Sequence, residues 1–341
     1  MTRVAAIDCG TNTIRLLIAE ADRDQMGRPR LEVLRRRNEI VRLGQGVDRT
    51  GVLDPEALER TLTVVAAYAA DCAELDVAPG EAARRFVATS ATRDARNREE
   101  FVAGVRRVLG IAPEVVSGQE EARLSFSGSL LGAREGTGGG TQGERAQAPR
   151  LIVDLGGGST ELVLGVDAPS AAISLDTGSV RITERFLTGG VTAEAEAAAR
   201  AEVRGLLDGA ERVVDLSASG QLVGLAGTIT TVTAHALGLQ AFDPQALGGA
   251  ELSPQAVLAS CEAIVHSTAE QRASWGYLAP GRRDVIAAGA LVWSEVVSRV
   301  VERTTAAGRP LERVITSLYD ILDGIALSLV PAQRPAEGAG A

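Results

Sequence analysis

Two aspartates, Asp8 and Asp154, each end an apolar run and open a turn of small residues. The first stands in AIDCGTNTIRLLIA and the second in IVDLGGGSTELVLG. The two stretches align without a gap: Asp8 on Asp154, Gly10 on Gly156, Thr11-Asn12-Thr13 on Gly157-Gly158-Ser159, Arg15 on Glu161. The chain therefore carries one loop twice. In each copy a buried strand stops at Asp and resumes as an alternating strand, which describes a β-hairpin. A dinucleotide fingerprint needs G-x-G-x-x-G opening a helix, and a P-loop needs Lys before Ser/Thr; neither is found here. Gly, Asn, Ser and Thr leave backbone N–H groups open to an anion, so each turn reads as a phosphate nest. A carboxylate beside a phosphate is repelled unless a Mg²⁺ ion lies between them.

A third loop, LVGLAGTITTVTAHALG, runs from a strand through Gly227-Thr228 into a helix whose first N–H groups would face an anion. The acid–base group is sought in EVVSGQEEARLSF, where Ser117-Gly118 turns a strand into a helix. Ser117 with Glu120 fits the S-x-x-E capping box, which commits Glu120 to the helix start. Glu121 points about 100° round the helix and is the candidate to orient or deprotonate an attacking water. In FVATSATRDARNREEF, Arg93 and Asn97 lie four apart on one helical face, making Arg93 a candidate phosphate fork. Arg35-Arg36-Arg37 reads as alternating across an exposed strand, Arg282-Arg283 as flanking a helix, and His235 and His266 as ordinary helix residues.

These loops need a frame. Strand-like runs lie at 4–7, 15–19, 31–34, 85–88, 114–116, 151–153, 161–166, 221–226 and 313–316, with 3.6-period patterns between them, so the chain is α/β. Residues 55–75 keep Leu58, Leu62, Val65 and Ala69 on one stripe, and Asp54-Pro55 supplies an N-cap with proline at the first helical position. The glycine-rich stretch Ala133–Pro149 reads as a mobile surface loop, and the tail from Pro331 as disordered.

At 341 residues the natural division is two domains of about 150 residues each. A net charge of -9 argues against a broad nucleic-acid face. Cys9, Cys72 and Cys261 are three and scattered, which fits reduced thiols of the cytoplasm better than a disulfide framework or a zinc site. No apolar run approaches the roughly 20 residues a bilayer span needs, and no signal peptide opens the sequence.

Taken together, AIDCGTNTIRLLIA, ATSATRDARN, SGQEEARLSF, VDLGGGSTELVLG and GLAGTITTV resemble the exopolyphosphatase / guanosine pentaphosphate phosphohydrolase (Ppx/GppA) family of the actin-like superfamily. RLGQGVD at 42–48 and DILDGIALSL at 320–329 look like its short actinobacterial members, without the C-terminal histidine–aspartate-type domain. The resemblance implies two ribonuclease-H-like domains facing a cleft: residues 1–125 completed by a helix at 318–332, and residues 126–317, with 333–341 a disordered tail. It implies Mg²⁺-dependent hydrolysis of terminal phosphoanhydride bonds, with Glu121 the catalytic carboxylate and Asp8, Asp154 and Glu161 the acidic metal-site positions. Thr11, Asn12, Gly156, Gly157, Gly158, Ser159, Gly227 and Thr228 match its phosphate loops and Arg93 its basic helix-start residue; Arg15 joins this substrate-binding set. Inorganic polyphosphate is the expected substrate, with guanosine pentaphosphate hydrolysis or guanosine tetraphosphate sensing as alternatives. A homodimer fits the family, although no interface is legible in the residues. Where many members read R-E-G, this chain reads Leu322-Asp323-Gly324, so an arginine contact there is not carried over.

Overall fold

The computed structural model describes residues 2–134 and 148–331. The expected mobile loop and disordered tail fall, but for their end residues, outside that range. Two β-sheets organise the chain. The first has the order β3-β2-β1-β4-β5, built from β1 (Thr2–Cys9), β2 (Thr13–Arg23), β3 (Pro29–Ile40), β4 (Arg84–Ala88) and β5 (Glu114–Val115). The second has the order β10-β11-β9-β6-β7-β8, built from β6 (Arg150–Leu155), β7 (Thr160–Gly165), β8 (Pro169–Leu175), β9 (Gln221–Leu225), β10 (Glu251–Leu252) and β11 (Val314–Thr316). In the first, β1 pairs antiparallel with β2 and parallel with β4; in the second, β6 pairs antiparallel with β7 and parallel with β9. The duplicated turn is thus the visible tip of a duplicated sheet, with β10 added at one edge. Each half thus repeats one mixed-sheet strand order flanked by helices, the α/β arrangement the sequence leads one to expect.

The central strands β1 and β6 are apolar on both faces because helices cover both. One face of the first sheet meets α1 (Pro55–Glu74) and, beyond the short α2 (Ser90–Asp94), α3 (Arg98–Leu109) in a core that includes Ile7, Leu16, Phe86 and Phe101. Asp54 caps α1 as its sequence requires, accepting from the N–H groups of Glu56 and Ala57. In the second half, α5 (Ala193–Ala210), α6 (Ala226–Ala236), α7 (Pro254–Val265) and α8 (Ile286–Ala306) enclose a larger core around Trp293.

Between the sheets lie two helices from distant parts of the chain, α4 (Gly118–Arg134) and α9 (Ile321–Ser328). Ala122 and Phe126 of α4 pack on Ile152, Val163 and Val223 of the second sheet. Leu322, Ile325 and Ala326 of α9 pack on Ala6, Leu17 and Val87 of the first, joined there by Leu124 of α4. The helices touch backbone to backbone, since a Cβ on Gly128 would stand 1.8 Å from the Asp320 carbonyl and one on Gly324 would stand 2.0 Å from that of Leu124. Only glycine permits that crossing.

The arginine triplet alternates across β3 as expected, Arg35 and Arg37 reaching Asp71 while Arg36 turns to Asp323 on the other side. Two elements depart from the expectation. β8 is short of large apolar residues and half-exposed, and β10 is two residues long; neither offers an alternating pattern to detect. Gly128→Ala adds helix propensity worth about 1 kcal/mol, yet overpacking against immovable backbone costs about 1–3 kcal/mol or more. We expect urea unfolding to report a net loss of stability, and a gain would show that the two helices can part freely.

Candidate active site

The two hairpins superimpose in detail as well as in sequence. Gly10 N–H donates to the Thr13 carbonyl at 2.9 Å, and Gly156 N–H donates to the Ser159 carbonyl at 3.0 Å. Asp8 stands opposite Arg15 across its ladder, and Asp154 stands opposite Glu161. The turns then meet tip to tip across the interface. A Cβ on Gly158 would lie 2.5 Å from Thr11 Oγ1 and 2.8 Å from Ser90 Oγ, and one on Gly157 would lie 3.1 Å from Thr11 Cβ. The RLGQGVD segment wraps the first turn from outside: Val41 and Arg42 N–H donate to the Asn12 carbonyl, and Gly44 N–H donates to that of Thr11.

One cleft is lined by Asp8, Thr11, Asn12, Arg15, Glu121, Asp154, Gly156, Gly157, Ser159, Glu161, Gly227 and Thr228. Two of the residues singled out by sequence do not line it. Gly158 faces Thr11 and Ser90, serving the close approach of the loops. Arg93 stands behind Glu121, donating from Nη1 to Glu121 Oε2 at 3.2 Å and to the Val116 carbonyl at 3.1 Å.

Glu121 enters from the first turn of α4 and is 7% exposed. Burial, with Asp154 and Asp8 nearby and Arg93 opposing, pushes its carboxyl up to about 8. Its neighbour fulfils half of the capping box. Ser117 Oγ accepts the Glu120 N–H at 3.3 Å, but the Glu120 carboxylate extends toward Arg85 and Arg123. Asp154 Oδ2 accepts from Ser125 Oγ at 2.6 Å, and burial with Asp320 nearby lifts Asp154 to about 6. Glu161 Oε1 accepts from Ser174 Oγ at 2.7 Å, and burial with Glu121 nearby drives it well above the usual carboxylate range. Asp8 Oδ2 takes Arg15 Nη2 at 2.6 Å and Nε at 3.0 Å; burial nevertheless leaves it raised.

Two arginines of this site carry no signal in the sequence. Arg282 leaves the doublet before α8 and enters the cleft, where its guanidinium lies so close over Gly227 that a Cβ there would meet Nη1 at 1.7 Å. The guanidinium makes no hydrogen bond among the described residues, and burial together with Arg15 lowers it to about 10. The preceding Ala226 sits at φ 73°, a left-handed conformation that costs a non-glycine residue roughly 1–2 kcal/mol. That turn presents Gly227 and Thr228 to the cleft. Arg181, buried, donates to the Gly158 carbonyl at 2.8 Å and spans the interface to Asp48 and to Asp94.

Four carboxylates share this buried space, two of them facing each other across one ladder, where like charges repel. A divalent cation fits that donor set: hard oxygen ligands, each aspartate with one oxygen hydrogen-bonded and the other free to coordinate. The carboxylates do not close into a three-ligand cage. Among the described residues the group with that spacing is Glu196, Glu262 and His266 on the surface, but Arg200 already donates to both of those glutamates. An open site of one or two carboxylates completed by substrate oxygens is what Mg²⁺ favours.

The model of the Ppx/GppA phosphatase family matches residues 17–306. Exopolyphosphatase 2 of Mycobacterium tuberculosis is 44% identical over 335 residues, covering 96% of this chain and 99% of that protein. The chain belongs to the Ppx/GppA phosphatase family. Family members of known structure agree: an exopolyphosphatase-like protein is 41% identical with a TM-score of 0.85 over 96% of this chain and 97% of that one. The Aquifex aeolicus PPX-GPPA enzyme is 28% identical with a TM-score of 0.71 over 96% and 99%. Phosphatases of this family are of the kind that usually needs a divalent metal. No helix among the described residues is long and apolar enough to cross a membrane.

The raised carboxyls fix a pH dependence. A carboxyl whose folded pKa exceeds its unfolded value holds more protons in the native state, so stability falls as pH rises from the unfolded value through the folded one. With chelator present, stability should decline between about pH 4 and pH 8, the region of the Glu121 value. The decline above pH 6 should be shallower in Glu121→Gln, the remainder belonging to Glu161, whose carboxyl burial also raises, and Mg²⁺ should flatten it in the wild type. Thermal unfolding across pH in both proteins measures this; identical slopes would contradict the burial of an ionisable Glu121.

Proposed function

We propose that this chain is an exopolyphosphatase that releases orthophosphate from the end of inorganic polyphosphate. The observation that carries the reading is Glu121: a buried carboxylate, braced by Arg93, at the start of a helix and facing a cleft whose opposite walls are the two anion-binding turns. The terminal phosphate would lie against the backbone N–H groups of Thr11-Asn12, of Gly156–Ser159 and of Gly227-Thr228, with Arg282 offering a guanidinium that makes no hydrogen bond among the described residues. Asp8, Asp154 and Glu161 are the residues that would hold Mg²⁺, which when bound screens phosphate charge and polarises the phosphoryl oxygens.

Glu121 orients a water in line with the terminal P–O–P bond and accepts its proton as the water oxygen bonds to phosphorus. The bridging P–O bond breaks, and its electron pair leaves with the shortened chain. The Glu121 pKa is well suited to this, since a base is most effective near the working pH, and a bound cation would shift the balance toward the carboxylate form. The turn N–H groups, fixed by the sheets, stabilise charge without reorganising.

Glu121→Gln should lower kcat at least 100-fold, the lower range for loss of general base catalysis, while KM changes little. Asp154→Asn should raise the Mg²⁺ concentration needed for half-maximal rate as well. Phosphate release from polyphosphate and from guanosine pentaphosphate, compared at matched concentration, tests the substrate. Preference for the nucleotide would replace polyphosphate in this reading and leave the mechanism standing; near-normal turnover in Glu121→Gln would remove the mechanism.

A further inference from the structure

The C-terminal helix abuts the cleft at Ile321, and the residue before it bears on the site through Arg15. Asp320, 6% exposed, precedes α9 and meets Arg15 Nη1 with its Oδ2. Its other oxygen accepts the Leu322 N–H at 2.9 Å, and its own N–H donates to Asp323 Oδ2 at 2.9 Å. Asp323 in turn is paired with Arg36 from β3. Asp320 is therefore held on both sides: one oxygen caps α9 and the other grips Arg15.

The effect on Arg15 is directional. An arginine facing a single carboxylate tends to form two parallel bonds, one to each oxygen. Here Nη1 is drawn to Asp320, and the remaining edge places Nε and Nη2 both on Asp8 Oδ2. Asp8 Oδ1 is left without an arginine bond, and Asp8 lines the cleft. We propose that Asp320 is a positioning residue, acting through Arg15, that keeps one oxygen of Asp8 free to bind the divalent cation. This rests on the reading of Asp8 as a metal-binding residue. Without Asp320, Arg15 would close onto both oxygens of Asp8 and compete with the cation. Outer groups that orient metal-binding residues typically change metal affinity 10–100-fold when removed.

Asp320→Ser separates this role from helix capping, because serine remains a good acceptor for the Leu322 N–H but is too short to reach Arg15. Asp320→Asn is the second variant, keeping the shape and the cap while removing the charge. Calorimetric titration of the full chain with MgCl₂ is the direct measurement. We expect both variants to bind Mg²⁺ at least 10-fold more weakly, with the Mg²⁺ requirement of polyphosphate hydrolysis rising by the same factor and high Mg²⁺ restoring the rate. In an Arg15→Gln background, Asp320→Ser should change the affinity less than about 2-fold, since neighbouring residues acting through one contact are not additive. A full loss in that background would show that Asp320 acts as a bare charge and overturn the inference. Unchanged affinity in both single variants would overturn it while leaving the metal reading intact, whereas a wild-type chain that binds no Mg²⁺ would end both.

Discussion

The interaction on which the structure depends is repulsion. Asp8, Glu121, Asp154 and Glu161 are brought from four elements into one buried space, and burial raises the carboxyl of each. A fold that served stability alone would not converge four acids where water cannot screen them, because unpaired buried charge is costly. In the proposed function that cost is offset when a divalent cation enters and phosphate oxygens complete its ligand shell. Perturbed groups clustered in a cleft are the physical mark of a working site.

The rest of the molecule holds those acids in place against their repulsion. The two sheets supply rigid strand ends, and the glycine crossing of α4 and α9 fixes the distance between the halves. Arg181 ties the second turn to Asp48 and Asp94 of the first half, and Arg185 adds two more bonds to Asp48. On the other side Arg42 reaches Asp284, and Gly46 N–H donates to Glu184.

Much of this was legible in the sequence because the duplication is written there residue by residue. Asp8 and Asp154 share a cleft for the same reason that their flanking strands share a pattern, and the α/β class followed from strand runs alternating with helical periods. Glu121 was separable from Glu120 because capping accounts for only one of the two, although Glu120 then made its ion pairs elsewhere. What escaped were residues whose role depends on distant partners. Arg282 looks like any basic residue before a helix, and nothing local reveals that Gly227 was left bare beneath it. Arg181 and Asp320 act across 133 and 305 positions of chain respectively, and Gly158 looked like a phosphate contact although it serves the packing of one turn on the other.

The central claim is that both halves grip one divalent cation between Asp8 and Asp154. Anomalous diffraction from crystals grown with Mn²⁺ and a non-hydrolysable polyphosphate analogue tests it most directly. The account predicts a strong peak in the cleft within bonding distance, about 2.0–2.1 Å for a Mg²⁺-like ion, of at least one oxygen from each aspartate. A peak at Glu196, Glu262 and His266 with none in the cleft would contradict it.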